Sequence, residues 1–178
     1  MKEIVQKDDP ILRKAAKHVP ISEIGSEKIN KVIHDMSAAM ARQKDGVAIA
    51  APQIGVNMRI FVISDELLRT ADRSYKGDGS NLVFINPEIV RSSREKRDVE
   101  EGCLSVRWLY GKVKRSSRVT LRAYDEKGKK IERGASGLMA QIFQHEMDHL
   151  EGVLFIDKAK EIWEMSPEEI KELQGTVG

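Results

Sequence analysis

Apolar residues recur at helical spacing in a segment that follows Gly25. Intervals of three and four residues place them on one helical face, which is formed by Ile29, Val32, Ile33, Met36 and Met40. Ser26 is suited to cap the N-terminus of this helix, and Gly46 is expected to end it. The pattern therefore predicts an amphipathic helix whose apolar face packs against another layer, which we expect to be a sheet.

Two more helices are indicated towards the end of the chain. One is predicted to start after Ser136 and to end at Gly152, a residue that suits the left-handed conformation of a helix C-cap. The other begins at Ser166-Pro167-Glu168-Glu169, which combines a capping serine, a proline in the first turn and a capping-box glutamate.

Short apolar runs predict β-strands at residues 60–63 and 82–85. Asn86-Pro87 is expected to end the second strand, because this dipeptide is typical of turns. The polar stretch from residue 69 to 81 lies between the two runs and is expected to form one surface loop.

A third strand is indicated by alternation rather than by a continuous apolar run. Polar residues separate Val119, Leu121 and Ala123, as in a strand that is buried on one face. A turn at residues 125–128 then predicts a hairpin into residues 130–132. Helices and strands do not alternate strictly along the chain, so the pattern favours an α+β fold.

Composition agrees with a single domain that spans residues 1–178. About 40% of the residues are hydrophobic and 33% are charged, which is typical of globular proteins. Thirty basic residues face 28 acidic ones, and the net charge of +2 gives no electrostatic reason to expect nucleic acid as the main partner. Basic residues recur in the stretch 112–122, which we interpret as a solvated surface.

The single cysteine and the N-terminal segment indicate in which cellular compartment the protein is expected. Cys103 cannot form an internal disulfide, which fits a reducing cytoplasm. The first five residues, MKEIV, lack the apolar run of a signal peptide, and no segment has the apolar length needed to span a bilayer. We therefore expect a cytoplasmic protein without a membrane partner.

The most specific local pattern is the H-E-x-x-H motif at residues 145–149. His145 and His149 lie four residues apart, so on a helix they project from one face and can hold one metal ion. Glu146 lies beside that face, where it can take a proton from an attacking water molecule. Leu138 and Ile142 continue the same stripe, which predicts that the imidazoles face the core. Burying them without a partner would cost several kcal/mol, and a metal ion would remove this cost.

A third protein ligand is needed, and the residue pattern leaves two suppliers open. The extended metzincin motif fails, because Phe155 stands where its third histidine is required. A thermolysin-like enzyme would use Glu168 or Glu169, although acidic residues in a first helical turn also simply favour the helix dipole. Cys103 is the other supplier, because a thiolate is a good ligand for zinc or ferrous iron and leaves a coordination position for water.

Three separated segments resemble the three motifs of the peptide deformylase family. They are GVAIAAPQIG at residues 46–55, EGCLS at 101–105 and QHEMDHL at 144–150, and they occur in the family's order. The flanking Asp9-Pro10 and residues 154–157 are similar as well, so the resemblance covers most of the chain.

The resemblance implies an α+β fold in which antiparallel or mixed sheets surround a central metal-binding helix. It implies a metal held by Cys103, His145 and His149, with Fe²⁺ the expected native ion and Zn²⁺, Ni²⁺ or Co²⁺ as possible occupants. The implied activity is removal of the N-formyl group from N-formylmethionyl nascent peptides with release of formate. A ribosomal partner is expected on the same ground.

The resemblance also suggests which residues act on the substrate. Glu146 is the expected base, and the charge on the carbonyl oxygen is expected to be met by the Gln53 side chain and the backbone N–H of Leu104. The residues expected to shape the substrate site are Val47, Ala48, Gly55, Gly102, Leu138 and Ile142.

Two positions depart from the family pattern. Ala48 replaces a common glycine at a place where the substrate backbone passes, so its methyl group would crowd the peptide or require a different backbone. Arg107 and Trp108 stand where a proline is common, which changes the expected loop shape after the cysteine. Besides the thermolysin-like alternative, a deformylase-like protein that binds nascent chains without turnover therefore remains an alternative.

Overall fold

Residues 2–175 are described by the computed structural model of the chain, and they build two sheets around one central helix. The α-helices are α1 (Glu27–Ala41), α2 (Asp65–Ala71), α3 (Gly137–Leu150) and α4 (Pro167–Gln174). The strands are β1 (Ala48–Ala50), β2 (Ile60–Ile63), β3 (Leu82–Ser92), β4 (Lys96–Gly102), β5 (Leu109–Ser116), β6 (Arg118–Tyr124), β7 (Lys130–Ser136) and β8 (Glu161–Glu164). Short 3₁₀ helices cover Pro10–Arg13, Ile21–Glu23, Ala51–Ile54 and Phe155–Asp157.

Both sheets are antiparallel throughout. The larger sheet has the order β1-β2-β3-β6-β7, and the smaller one has the order β4-β5-β8. Helix α3 contacts strands of both sheets, including β1, β5, β6 and β7. The predicted α+β fold with antiparallel sheets around a central helix is therefore confirmed.

Strand β2 is apolar at every position because both of its faces are covered. Phe61 and Ile63 pack towards α3, while Ile60 and Val62 pack towards α1. A strand that is covered on both faces reads as a continuous apolar run rather than as an alternating one. The sheet thus lies between the two long helices, and it holds α3 in place through Phe143, which is fully buried.

Helix α1 ends earlier than predicted. Ser26 caps it as expected, through a hydrogen bond from Ile29 N, but the helix stops at Ala41 instead of Gly46. Residues 42–45 are all polar, so they offer no side chain that would extend the buried face beyond Met40.

The prediction that Asn86-Pro87 ends a strand was wrong. Strand β3 continues to Ser92, with a shift of register between Ile85 and Glu88. Asn86 has a φ of 50°, and its side chain exchanges hydrogen bonds of 2.8 Å with both the N–H and the carbonyl of Val19. The two turn residues therefore form a bulge in the strand.

The predicted loop at residues 69–81 is shorter, because helix α2 extends to Ala71. The remaining loop folds around Asp65, whose buried carboxylate accepts hydrogen bonds from Tyr75 Oη at 2.9 Å and Gly79 N at 3.1 Å. A buried charge with several donors gives this polar segment a defined conformation.

The ends of the last two helices agree with prediction. Helix α3 begins after Ser136, and Gly152 adopts a φ of 75° just beyond its C-terminus. At α4, Ser166 and Glu169 form the reciprocal hydrogen bonds of a capping box, of 3.2 and 2.7 Å. Within residues 2–175, no helix is both long enough and apolar enough to cross a bilayer.

Candidate metal centre

The three predicted metal ligands come together in the structure. The donor atoms of Cys103, His145 and His149 all lie within 4.8 Å of one another, and Cys103 Sγ is 3.2 Å from His149 Nε2. Two imidazole nitrogens and one sulfur at these separations can share a tetrahedral ion and leave a fourth position open. This cluster therefore fits one divalent metal ion.

Local structure explains how the ligands meet. His145 and His149 lie one turn apart on α3, with ring centroids separated by 5.0 Å. Cys103 directly follows β4, in a turn closed by a hydrogen bond from Val106 N to Cys103 O. Because α3 packs against the large sheet through Ala140 and other buried residues, its histidine face is presented to the end of β4.

Glu101 orients the first histidine. His145 Nδ1 lies 2.9 Å from Glu101 Oε2, and since a carboxylate only accepts, Nδ1 donates. In the neutral imidazole this leaves the lone pair of Nε2 free to bind the ion.

A buried arginine holds Glu101 in turn. Arg115 donates to both carboxylate oxygens of Glu101, at 2.7 and 2.9 Å, and to Asp148 at 2.6 Å. Lys158 also contacts Asp148, at 2.7 Å. Asp148 therefore supports the site through Arg115 and Glu101 and does not hydrogen-bond to an imidazole.

These contacts shift the acidity of the site. Burial disfavours the charged form of Glu101, but hydrogen bonds from Arg115 and His145 lower the pKa of its carboxyl to about 2. Burial also disfavours the Cys103 thiolate, yet the charges and hydrogen bonds of His149 and His145 lower the pKa of the thiol to about 5. A thiol with a lowered pKa supplies the thiolate that metal binding requires.

Glu146 is placed as expected for a base. It is buried, and no described residue hydrogen-bonds to its Oε2 atom. Burial raises the pKa of this carboxyl, and the neighbouring imidazoles of His145 and His149 only partly offset the effect. An unpartnered carboxylate oxygen inside a cavity is poised to accept a proton from a bound molecule.

A cavity of about 330 Å³ opens beside these groups. Five of the predicted substrate residues line it, namely Val47, Ala48, Gly102, Leu138 and Ile142. Ala48 sits in regular pairing with Ile63 of β2, so its methyl group is accommodated without a change in the strand.

Gly55 is a correction to the predicted substrate site. It does not line the cavity but follows the 3₁₀ helix Ala51–Ile54 with a φ of 73°. A glycine is favoured there because the left-handed conformation strains other residues, so its role is to end the helix.

Gln53 and Leu104 both face the cavity. Gln53 is 1% exposed, and its Oε1 accepts from Ala50 N at 2.8 Å, which turns the amide nitrogen towards Ser105 at 3.1 Å and Cys103 at 3.5 Å. Within residues 2–175, nothing accepts a hydrogen bond from the backbone N–H of Leu104. Both donors lie beside the Cys103 sulfur.

Glu168 and Glu169, the ligands of the thermolysin-like alternative, are not part of the cluster of Cys103, His145 and His149. Glu168 and Glu169 are exposed in the first turn of α4, where Glu169 completes the capping box. Phe155 stacks against His145, with 6.3 Å between ring centroids, and so packs against this candidate ligand. The thermolysin-like arrangement is therefore absent from the part of the chain that the structure describes.

The basic stretch 112–122 was misjudged as wholly solvated, because Arg115 is only 5% exposed. On β5, Gly111, Val113 and Arg115 alternate with outward residues, so the arginine belongs to the inner face of the strand. This period of two is visible in the sequence and could have identified Arg115 as an interior charge that needs a partner.

Comparisons with known proteins agree with this geometry. The family model of polypeptide deformylase matches residues 1–164. Peptide deformylase from Desulforudis audaxviator is 39% identical over 164 residues, which cover 90% of this chain and 95% of that protein. Peptide deformylase 1A of Arabidopsis thaliana, chloroplastic/mitochondrial, is 42% identical over 167 residues, and the match covers 88% of this chain but only 60% of the longer plant protein.

The fold is shared as well. The crystal structure of peptide deformylase from Thermotoga maritima superposes with a TM-score of 0.77 at 35% identity, over 90% of this chain and 99% of that one. Family match, sequence identity and fold coincide with a cysteine and two histidines beside a buried glutamate. The chain therefore belongs to the polypeptide deformylase family, metal-dependent hydrolases that remove the N-formyl group from nascent peptides.

Proposed function

We propose that Cys103, His145 and His149 hold the metal of this deformylase and that Glu146 is its general base. The observation that carries the proposal is the meeting of three donor atoms within 4.8 Å beside a buried carboxylate oxygen without a partner. Each element of the site then has one role in hydrolysis of the formamide bond.

The donor set bears on the identity of the metal. One thiolate and two imidazoles suit ferrous iron or zinc, and we expect Fe²⁺ as the native ion, with Zn²⁺, Ni²⁺ or Co²⁺ able to replace it. A bound divalent ion would polarise the formyl carbonyl and lower the pKa of water.

Glu146 moves the proton. It takes a proton from the attacking water, whose oxygen forms a bond to the formyl carbon. When the carbon–nitrogen bond breaks, Glu146 gives that proton to the departing amine, which leaves formate and a free N-terminus. Burial raises the pKa of this carboxyl towards neutral pH, and this suits both steps, because the group must first accept a proton and then release it.

Gln53 and Leu104 stabilise the negative charge that develops on the carbonyl oxygen. The Gln53 amide is held rigidly through Ala50, and the Leu104 N–H is not used by any described residue. Donors that are oriented before the reaction typically contribute about 3 kcal/mol each to lowering the barrier.

The cavity suits formylmethionine. Val47, Leu138 and Ile142 give it an apolar lining that accommodates a flexible thioether side chain. Strands β1 and β4 are edge strands of their sheets, and each borders the cavity, so those of their outward backbone groups that no described residue uses can pair with an extended peptide.

The biological setting follows from this substrate. N-formylmethionyl nascent peptides are the partners that the site fits, and the ribosome that makes them is the expected place of encounter. A bacterial-type cytoplasm would keep the single cysteine reduced and available as a ligand.

A formate assay tests the proposal. Protein loaded with Fe²⁺ under anaerobic conditions is expected to release formate from formyl-Met-Ala-Ser and to leave acetyl-Met-Ala-Ser intact. The acetyl peptide is a matched control, because it adds one methyl group at the reacting carbon. Folded protein with one metal per chain that releases no formate would contradict the proposal and favour the non-catalytic alternative.

A further inference from the structure

The N-terminal segment of residues 4–6 binds both loops that carry the groups proposed to stabilise the carbonyl oxygen. Val5 N donates a hydrogen bond to the backbone carbonyl of Gln53 at 2.9 Å. The side chain of the next residue, Gln6, donates from Nε2 to the backbone carbonyl of Leu104 at 3.2 Å. Two consecutive residues therefore connect the 3₁₀ helix that contains Gln53 to the turn that contains Leu104.

Ser105 completes a ring of hydrogen bonds between the same two loops. Its buried hydroxyl accepts a hydrogen bond from Gln53 Nε2 at 3.1 Å, and it directly follows Leu104 in the turn. The ring thus runs from Val5 to Gln53, then through Ser105 and Leu104 back to Gln6. A shift of one loop against the other would break at least one of these bonds.

Gln6 binds the central peptide group of the turn that follows β4. This turn runs from Cys103 to Val106, so its central peptide joins Leu104 to Ser105. The N–H of that peptide lies 3.4 Å from Cys103 Sγ. Within residues 2–175, Gln6 supplies the one hydrogen bond to its carbonyl. Both polar groups of the peptide are therefore bound, and Gln6 holds the end that faces away from the sulfur.

The backbone of the N-terminal segment is fixed independently of the Gln6 side chain. Ile4 packs against the apolar cluster of α1 and β2, and Val5 packs in the cluster that includes Cys103. Asp9 N donates to the carbonyl of Gln6 at 2.9 Å. The Gln6 side chain itself is exposed. Its replacement should therefore remove the bond to Leu104 without releasing the segment or unfolding the protein.

We infer that Gln6 is a positioning residue, which holds the turn so that the Leu104 N–H stays in place at the catalytic cavity. This inference rests on the proposed function, because it takes that N–H as a donor to the reacting carbonyl oxygen. Leu104 lines the cavity, whereas Gln6 lies outside it and acts through the turn. Loss of the Gln6 side chain should weaken stabilisation of the transition state and leave peptide binding unchanged.

Steady-state kinetics with formyl-Met-Ala-Ser test the inference. Methionine has a similar length to glutamine but cannot donate, so Gln6→Met is expected to lower kcat by about three- to tenfold with KM unchanged, roughly the factor that one hydrogen bond contributes. Gln6→Lys supplies a donor again and should restore most of kcat. A lysine variant as slow as Gln6→Met, or a change confined to KM, would count against the inference.

Lys7→Met is the matched control. Lys7 is the exposed neighbour of Gln6, and within residues 2–175 its side chain makes no hydrogen bond or ion pair, so its replacement should leave kcat unchanged. An unchanged kcat in folded Gln6→Met would overturn the inference. An equal fall of kcat in Lys7→Met would overturn it as well, because the effect would not be specific to the bond with Leu104.

Backbone relaxation measured by NMR separates this inference from the proposed function, because it needs no turnover. In the zinc-loaded wild type and Lys7→Met, the amide order parameters of Leu104 and Ser105 should be about 0.85, as in rigid backbone, and they should be clearly lower in Gln6→Met. Equal values in all three proteins would refute the inference, whether or not formate is released. A loss of order in Gln6→Met without formate from any protein would contradict the proposed function alone.

Discussion

His145 Nδ1 and Glu101 Oε2 lie 2.9 Å apart, and this contact joins helix α3, which carries both candidate histidine ligands, to the strand that leads to Cys103. Glu101 is two residues from Cys103 and is itself held by two hydrogen bonds from Arg115. The Glu101 carboxylate therefore fixes the ring orientation of His145. The buried Arg115 guanidinium in turn fixes the position of Glu101. The arrangement of the three donor atoms therefore depends on residues that are not themselves candidate ligands.

Replacement of Glu101 by glutamine should lower the metal affinity more than it lowers the free energy of unfolding. The amide cannot retain all the charge-assisted contacts with His145 and Arg115, so metal affinity is expected to fall by about 10- to 100-fold. Competition with a chelator measures this. Asp98→Asn is the control, because Asp98 is exposed on the same strand; an equal loss of affinity in both variants would contradict the role of Glu101.

Replacement of Arg115 by methionine should destabilise the protein strongly. It would leave the buried Glu101 without its cation, and breaking such a pair typically costs about 3–5 kcal/mol of the free energy of unfolding. Urea unfolding measures the change. Arg97→Met on β4 removes an exposed arginine and should stay within about 0.5 kcal/mol of wild type. A similarly small change for Arg115→Met would show that the charge network does not stabilise the fold.

The candidate ligands could be predicted from the sequence more readily than the residues that orient them. His145, Glu146 and His149 are close in sequence and share a helix, so their spacing alone indicates a metal site. Cys103 was one of two possible ligands until the resemblance was considered, because its approach to α3 depends on long-range packing. Arg115 stands at an interior position of the period-two pattern of β5, but its partners Glu101 and Asp148 are distant in sequence, so its role could not be predicted.

Errors in the predicted fold share a physical origin. Asn86 and Pro87 are turn residues, but contacts of Asn86 with the distant Val19 allow strand pairing to continue beyond them. The smaller sheet was not predicted, because β4 and β8 are rich in charged residues and lack an apolar run. Local pattern cannot reveal pairing that is stabilised by other parts of the chain.

Glu146→Gln should separate metal binding from turnover. Glutamine has nearly the same shape but cannot accept the proton, so kcat is expected to fall by about 10²- to 10⁴-fold while the metal content stays at one per chain. Formate release and metal analysis on the same sample measure both quantities. Glu169→Gln is the control, because Glu169 lies in the capping box of α4. Full activity of Glu146→Gln would remove it from the role of base.

The Arg13–Asp157 pair should make a pH-dependent contribution to stability. A hydrogen bond from Arg13 lowers the pKa of Asp157 below its ordinary value of 3.8. The stabilisation is therefore complete above pH 3.8 and is lost as the pH falls through the lower value in the folded protein. Because both side chains are partly exposed, Asp157→Asn should cost only about 0.2–1 kcal/mol at pH 7.

Urea unfolding of wild type and Asp157→Asn at pH 7 and pH 3 measures this difference. Other carboxyl groups titrate in both proteins, so only the difference between them reports on Asp157. We expect the difference to be smaller at pH 3. A difference that is constant or larger at pH 3 would mean that the ion pair is not its source.

X-ray absorption by the zinc-loaded protein tests the shared coordination by one thiolate and two imidazoles most directly. Cys103 is the only cysteine of the chain, so a thiolate in the first coordination shell identifies it. We expect one sulfur at about 2.3 Å and two imidazole nitrogens at about 2.0–2.1 Å, with the sulfur lost in Cys103→Ala. A shell of nitrogen and oxygen alone in the folded wild-type protein would contradict it.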